Sequence, residues 1–178
     1  VNSGNINHVN NVFIKSDKEN SLVKIFSHTA GISNNNSGGG VIDIKADMIN
    51  IGTDNLYAVR GDHGDITLTA KNNIISGGTS GVHTLNGDIT VTASENNSIS
   101  TINEDETFGA IYTTTGGNGI INITAQNGNN TVNATTDGIH TKGNGDVNLT
   151  ANGFNSIKSN KNAVYNSGSG TIKISAKA

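Results

Sequence analysis

Five positions of this chain carry side chains that can stack, exchange a proton or bind an anion, and all five recur at one place in a repeat. They are Arg60, His83, Tyr112, His140 and Tyr165, each following a small residue and a β-branched one: Ala58-Val59-Arg60, Gly81-Val82-His83, Ala110-Ile111-Tyr112, Gly138-Ile139-His140 and Ala163-Val164-Tyr165. On a strand the middle residue of each triplet faces one way and its neighbours the other. With Val59, Val82, Ile111, Ile139 and Val164 inward, the five larger groups stack outward, beside a flat floor of Ala58, Gly81, Ala110, Gly138 and Ala163. Such a ridge and floor make a groove for a sugar or a peptide, with ring faces for stacking and polar tips for hydrogen bonds. The plainer reading is that stacked planar side chains only stabilise a solvent face.

Other groupings carry less chemistry. His83 and His140 stand two rungs apart with Tyr112 between, so about 9.6 Å separates their backbones. A Zn–N bond is about 2.1 Å, and no shared metal is expected. Asp65 and Asp88 fall on successive rungs, a spacing of about 5 Å that suits a retaining glycosidase. Yet Asp146 recurs in the same phrase, and Asp before a strand commonly bonds turn backbone; catalytic residues do not follow a structural repeat. Glu104-Asp105-Glu106 form an acidic run that suits a cation or a basic partner, or simply a solvated loop tip. Arg60 is the only arginine, so the acidic-plus-basic cluster of a polysaccharide lyase is missing. Gly38-Gly39-Gly40 lack the repeated register of calcium-binding solenoids. The outward threonines Thr67, Thr69, Thr90, Thr92, Thr124 and Thr150 suggest an ice-matching face, but Asp43, Lys45, Asn122, Asn148 and Lys173 interrupt it. The chain reads as a non-enzyme without cofactor.

The elements that position these groups come from a repeated phrase: Gly64-Asp65-Ile66-Thr67-Leu68-Thr69-Ala70, Gly87-Asp88-Ile89-Thr90-Val91-Thr92-Ala93 and Gly145-Asp146-Val147-Asn148-Leu149-Thr150-Ala151. Looser copies begin at Gly40, Gly119 and Gly170. Their terminal alanines, Ala46, Ala70, Ala93, Ala125, Ala151 and Ala176, are spaced by 24, 23, 32, 26 and 25 residues. A degenerate copy through Val12-Phe13-Ile14-Lys15 puts Ser16 at the same anchor. Period-2 alternation of β-branched residues marks the phrase as a strand. A second short segment follows at Asn73-Ile74-Ile75, Asn97-Ser98-Ile99, Asn130-Thr131-Val132 and Asn155-Ser156-Ile157, and its asparagines suit a hydrogen-bonded ladder at a corner. The triplets above are the third segment. Three strands in about 25 residues are too few for a propeller blade. The expected fold is therefore an all-β, right-handed parallel β-helix, one unit per coil; the handedness follows from the general preference of β crossovers. Residues 1–39 are expected to be an atypical N-terminal coil or capping region, with a loop at Asp17–Ser21, and 40–178 the regular coils. The 32-residue interval predicts an insertion from Ser94 to Phe108.

Composition narrows the options further. The chain has 178 residues with Gly 23, Pro 0 and Cys 0. Disordered chains are usually proline-rich and poor in β-branched residues, whereas here Ile, Val and Thr recur in phase. A net charge of −3 argues against nucleic acid as partner, and no apolar run is long enough to insert in a membrane as a helix. No secretion signal is recognisable, which suggests a mature segment or a fragment.

The Gly-Asp-Ile-Thr-Leu-Thr-Ala phrase, the Asn-x-Ile segment, the Asn/Gly/Thr richness and the lack of Cys and Pro resemble the β-helical passengers of Gram-negative autotransporters and filamentous-haemagglutinin-like adhesins. The resemblance covers residues 40–178. It implies a cell-surface or extracellular adhesin segment that attaches to a host glycan or matrix protein, or to an identical adhesin on a neighbouring cell in a biofilm. Such passengers also include a few polysaccharide-active enzymes, and a third possibility is a passive stalk.

Overall fold

The computed structural model describes residues 2–3, 11–34, 38–103, 108–114 and 118–177. Among these there is no helix; the chain winds as a parallel β-solenoid of six three-sided coils. After β1 (Asn2–Ser3), the first coil holds β2 (Val12–Lys15), β3 (Leu22–Ser27) and β4 (Ile32–Asn34), and the second holds β5 (Ile42–Lys45), β6 (Met48–Thr53) and β7 (Tyr57–Gly61). In the third, β8 (Ile66–Gly77) runs unbroken around one corner before β9 (Ser80–Thr84); β10 (Ile89–Thr101) and β11 (Gly109–Thr113) repeat this in the fourth. The fifth has β12 (Ile121–Ala125), β13 (Asn130–Ala134) and β14 (Asp137–Thr141); the sixth has β15 (Val147–Ala151), β16 (Asn155–Ser159) and β17 (Val164–Asn166), with β18 (Ile172–Ala176) starting another rung.

All pairings are parallel, and equivalent repeat positions sit opposite one another. On the first face Val12, Ile42, Ile66, Ile89, Ile121, Val147 and Ile172 form one column. On the second, Val23, Ile49, Asn73, Asn97, Asn130 and Asn155 do. The third face stacks Ile32, Val59, Val82, Ile111, Ile139 and Val164. Alternation sends Ile66, Leu68, Ile89, Val91, Ile121 and Ile123 into the tube, each fully buried. Burying one such side chain is worth about 1.5–3 kcal/mol, and each needs the rung on either side of it. Ile172 and Ile174, on the last rung described, are half exposed.

The long fourth coil departs from expectation. Its nine extra residues do not form one insertion between Ser94 and Phe108. One sits in a bulge between Ala93 and Asn96. Ile111 lies ten residues beyond Thr101, where Val82 lies five beyond Gly77. The last three follow β11, since Ile121 is ten residues after Ile111 and Ile89 is seven after Val82. A solenoid absorbs extra chain at its corners, where no ladder bond is lost.

Candidate binding face

The third face brings the expected column together. Ser33, Arg60, His83, Tyr112, His140 and Tyr165 are in register through all six coils. Their rings touch in series: His83 to Tyr112 at 5.0 Å between centroids, Tyr112 to His140 at 5.1 Å and His140 to Tyr165 at 4.8 Å. The tilted and edge-on geometries are those that aromatic quadrupoles favour.

The column is not, however, an open ridge. His83, Tyr112 and His140 are buried, Arg60 is partly covered, and only Tyr165 is exposed. Two residues that sequence reasoning missed provide the cover. Tyr57, at the start of β7, lies 4.8 Å from His83, and Phe108 lies 5.4 Å from His83 and packs edge-on against both Tyr57 and Tyr112. Phe108 stands at the end of the enlarged corner, so the insertion supplies the lid. With only four Phe and three Tyr in the chain, each aromatic was a usable signal, but neither lies in the repeat column.

The small residues also face the other way from expectation. Ala58 and Val59 are both fully buried in the core, as are Ala110 and Ile111. The chain turns its corner between the two, so period-2 alternation fails there. A Cβ added at Gly81 would meet Ile99 Cγ2 at 2.8 Å, and one at Gly138 would meet Ile157 Cγ2 at 2.5 Å. Ala58, Gly81, Ala110 and Gly138 therefore ease a tight corner and make no groove floor.

Charge around the column is tied locally. Arg60 pairs with Asp62 at 2.9 Å and lies 5.1 Å from the Tyr57 ring centroid. Burial, reinforced by the Arg60 charge, pushes the His83 imidazole down to about 3; neither ring nitrogen has a hydrogen-bond partner. Asp137 Oδ2 is 3.1 Å from His140 Nδ1, while Asp137 Oδ1 accepts from the backbone and side-chain nitrogens of Asn162. Burial holds the His140 pKa below its ordinary value; Asp137 opposes that shift and Lys142 adds to it. Both rings are neutral at pH 7.

The remaining polar columns bind coil to coil. Asn73, Asn97 and Asn130 each donate Nδ2–H to the Oδ1 of the next asparagine at 2.8 Å, and also to the carbonyls of Thr92, Thr124 and Thr150. The ladder stops at Asn73, whose buried Oδ1 is unpartnered because Ile49 occupies the preceding rung. Asp65, Asp88 and Asp146 accept from the backbone N–H of Asp88, Ile120 and Thr171, so each carboxylate ties the turn of one coil to the next. No cluster of three or more metal-ligating side chains occurs among the described residues. Glu104, Asp105 and Glu106 lie outside the described residues.

Fold and site together define a class: a three-sided parallel β-solenoid whose repeated polar columns hold its own coils together. Comparison with protein-family models, with curated proteins and with solved structures finds no match.

Proposed function

We propose that this chain is a non-enzymatic segment of a bacterial cell-surface adhesin, of the autotransporter or filamentous-haemagglutinin-like kind. It attaches to a host glycan or matrix protein, or to an identical segment on a neighbouring cell. The observation that carries the reading is how the repeated polar groups are used. The carboxylates that could have formed a hydrolytic pair instead accept backbone N–H bonds from the next coil. The histidines that could have served as bases are buried and kept neutral. What faces outward in bulk is a wall of stacked parallel strands, which suits presentation and contact over turnover.

The passive-stalk reading gains from the covered ring column, since a buried ladder stiffens the solenoid without exposing a site. The two separate in one assay. The segment, displayed on a non-adherent bacterium, is expected to cause attachment to glycan- or matrix-coated surfaces, or clumping of the cells. Folded segment on the surface with neither effect sinks the adhesin and leaves the stalk.

A further inference from the structure

On the second face, near its corner with the third, a depression of about 450 Å³ is lined by Phe26, Ser27, His28, Gly52, Thr53, Asp54 and Ser76. We propose that this depression is a binding site for one neutral pyranose ring of a glycan, seated on Phe26 and held at its hydroxyls by His28 and Asp54. The proposal rests on the attachment reading above and gives it a place and a ligand chemistry.

The first support is Phe26 itself. It is half exposed on the outer side of β3, where leaving a ring in water forgoes most of the burial energy of an aromatic side chain. The other outward residues of its column are Gly52, Ser76, Ser100, Asn133 and Lys158, so the ring breaks the repeat and does not follow it. Gly52 is what lets the ring lie down: a Cβ there would come within 2.5 Å of Phe26 Cε1. An aromatic plate set into a glycine-made recess offers a flat apolar surface to the C–H face of a sugar.

The second support is the polar rim. His28 Nδ1 lies 2.9 Å from Asp54 Oδ1, and both side chains are largely exposed, with His28 Nε2 and Asp54 Oδ2 outside that contact. A donor–acceptor pair beside a ring suits adjacent hydroxyls, each of which donates and accepts. Lys24 Nζ lies 5.6 Å from the Phe26 ring centroid and sets one positive charge against the Asp54 carboxylate in the lining, so a neutral sugar fits better than an anionic one. The rim is also held in place. Thr53 Oγ1 donates to the carbonyls of His28 and Thr29, and Asn103 Nδ2 reaches across the third coil to the carbonyls of Asp54 and Asn55. Gly78, lying between, has no side chain to block it. Preorganised polar groups lose little entropy on binding.

The test is saturation-transfer NMR on the folded chain with neutral methyl pyranosides of glucose, galactose, mannose and N-acetylglucosamine. At least one is expected to bind with a Kd in the millimolar range, receiving saturation chiefly on ring C–H protons. Phe26→Ala should weaken it ten-fold or more, as should Gly52→Ala, which pushes the ring out of its recess; Asp54→Asn should weaken it several-fold. Tyr165→Ala should leave it unchanged, and melting curves check that each variant is folded. No transfer to any of the four sugars, or equal transfer with Phe26→Ala, overturns the site. Surface attachment that survives Phe26→Ala would refute this site while leaving the adhesin reading intact; failure of the unmodified segment to attach removes the latter.

Discussion

The first two coils and the four that follow solve the same stacking problem with different chemistry. At the inward corner of the second face the first two place Val23 and Ile49, and the rest place Asn73, Asn97, Asn130 and Asn155. On the third face the outward column begins with Ser33 and Arg60 and continues as rings, His83, Tyr112, His140 and Tyr165. The outer side of the second face changes at about the same level. Leu22, Phe26 and Met48 are exposed in the first two coils, whereas Asn72, Ser76, Asn96 and Ser100 occupy the matching positions in the next two. The early coils cohere by apolar burial; the later ones add directional bonds and ring contacts. Burial tolerates an exposed apolar patch outside, and a ladder tolerates no missing member.

The largest consequence falls on the ladder. Asn97→Leu removes the acceptor of Asn73 Nδ2 and the donor to Asn130 Oδ1 together. Each buried group left unpaired costs about 1–3 kcal/mol, so a loss of roughly 3–5 kcal/mol is expected in urea denaturation. Val23→Ala, a truncation in the early coils, opens a small cavity and should cost less, about 2 kcal/mol. Equal losses would mean that the two regions do not differ in what holds them.

Acid should separate them next. An unfolded histidine takes its proton near pH 6.5, whereas folded His83 resists until about 3. As pH falls below 6.5 the unfolded state therefore binds more protons, and stability is lost through that window at about 1.4 kcal/mol per pH unit. By pH 5 the contribution is about 2 kcal/mol. His83→Phe, which keeps a ring among Tyr57, Phe108 and Tyr112, should flatten this part of the pH profile. A slope between pH 6.5 and 4 that is the same in both proteins would show that His83 is not the group being charged.

How much of this was legible follows from what each feature depends on. The coils and their register were readable because Ile66, Leu68 and Ala70 alternate strictly with Thr67 and Thr69, and because the alanine anchors repeat. The asparagine ladder was readable for the same reason. The covering of His83 was not, since Tyr57 and Phe108 reach it from outside the repeat column and only the fold brings them there. The inward turn of Ala58, Gly81, Ala110 and Gly138 was hidden too: alternation predicts a side for each residue along a straight strand, and these lie where the strand bends. Phe26 carries no motif at all; its meaning appears only when Gly52 is seen beneath it.

The smallest expected effect tests where the ladder ends. Ile49→Asn extends it by one rung: the new amide can donate to the orphaned Oδ1 of Asn73 and to the Thr69 carbonyl, as Asn73 does to Asn97 and Thr92. It loses aliphatic burial and leaves its own Oδ1 facing Val23, so the orphan moves up one coil and does not vanish. The net cost should be only about 1 kcal/mol, because the new donor is satisfied and just one acceptor stays unpaired. Ile51→Asn, two residues along the same strand and equally buried, meets Ile25 and Ile75 on its neighbouring rungs. It gains no ladder partner there and should cost about 3 kcal/mol or more. Similar costs at the two positions would mean that amide stacking contributes little beyond filling space. The boundary between apolar and hydrogen-bonded coils would then be one of composition and not of cohesion.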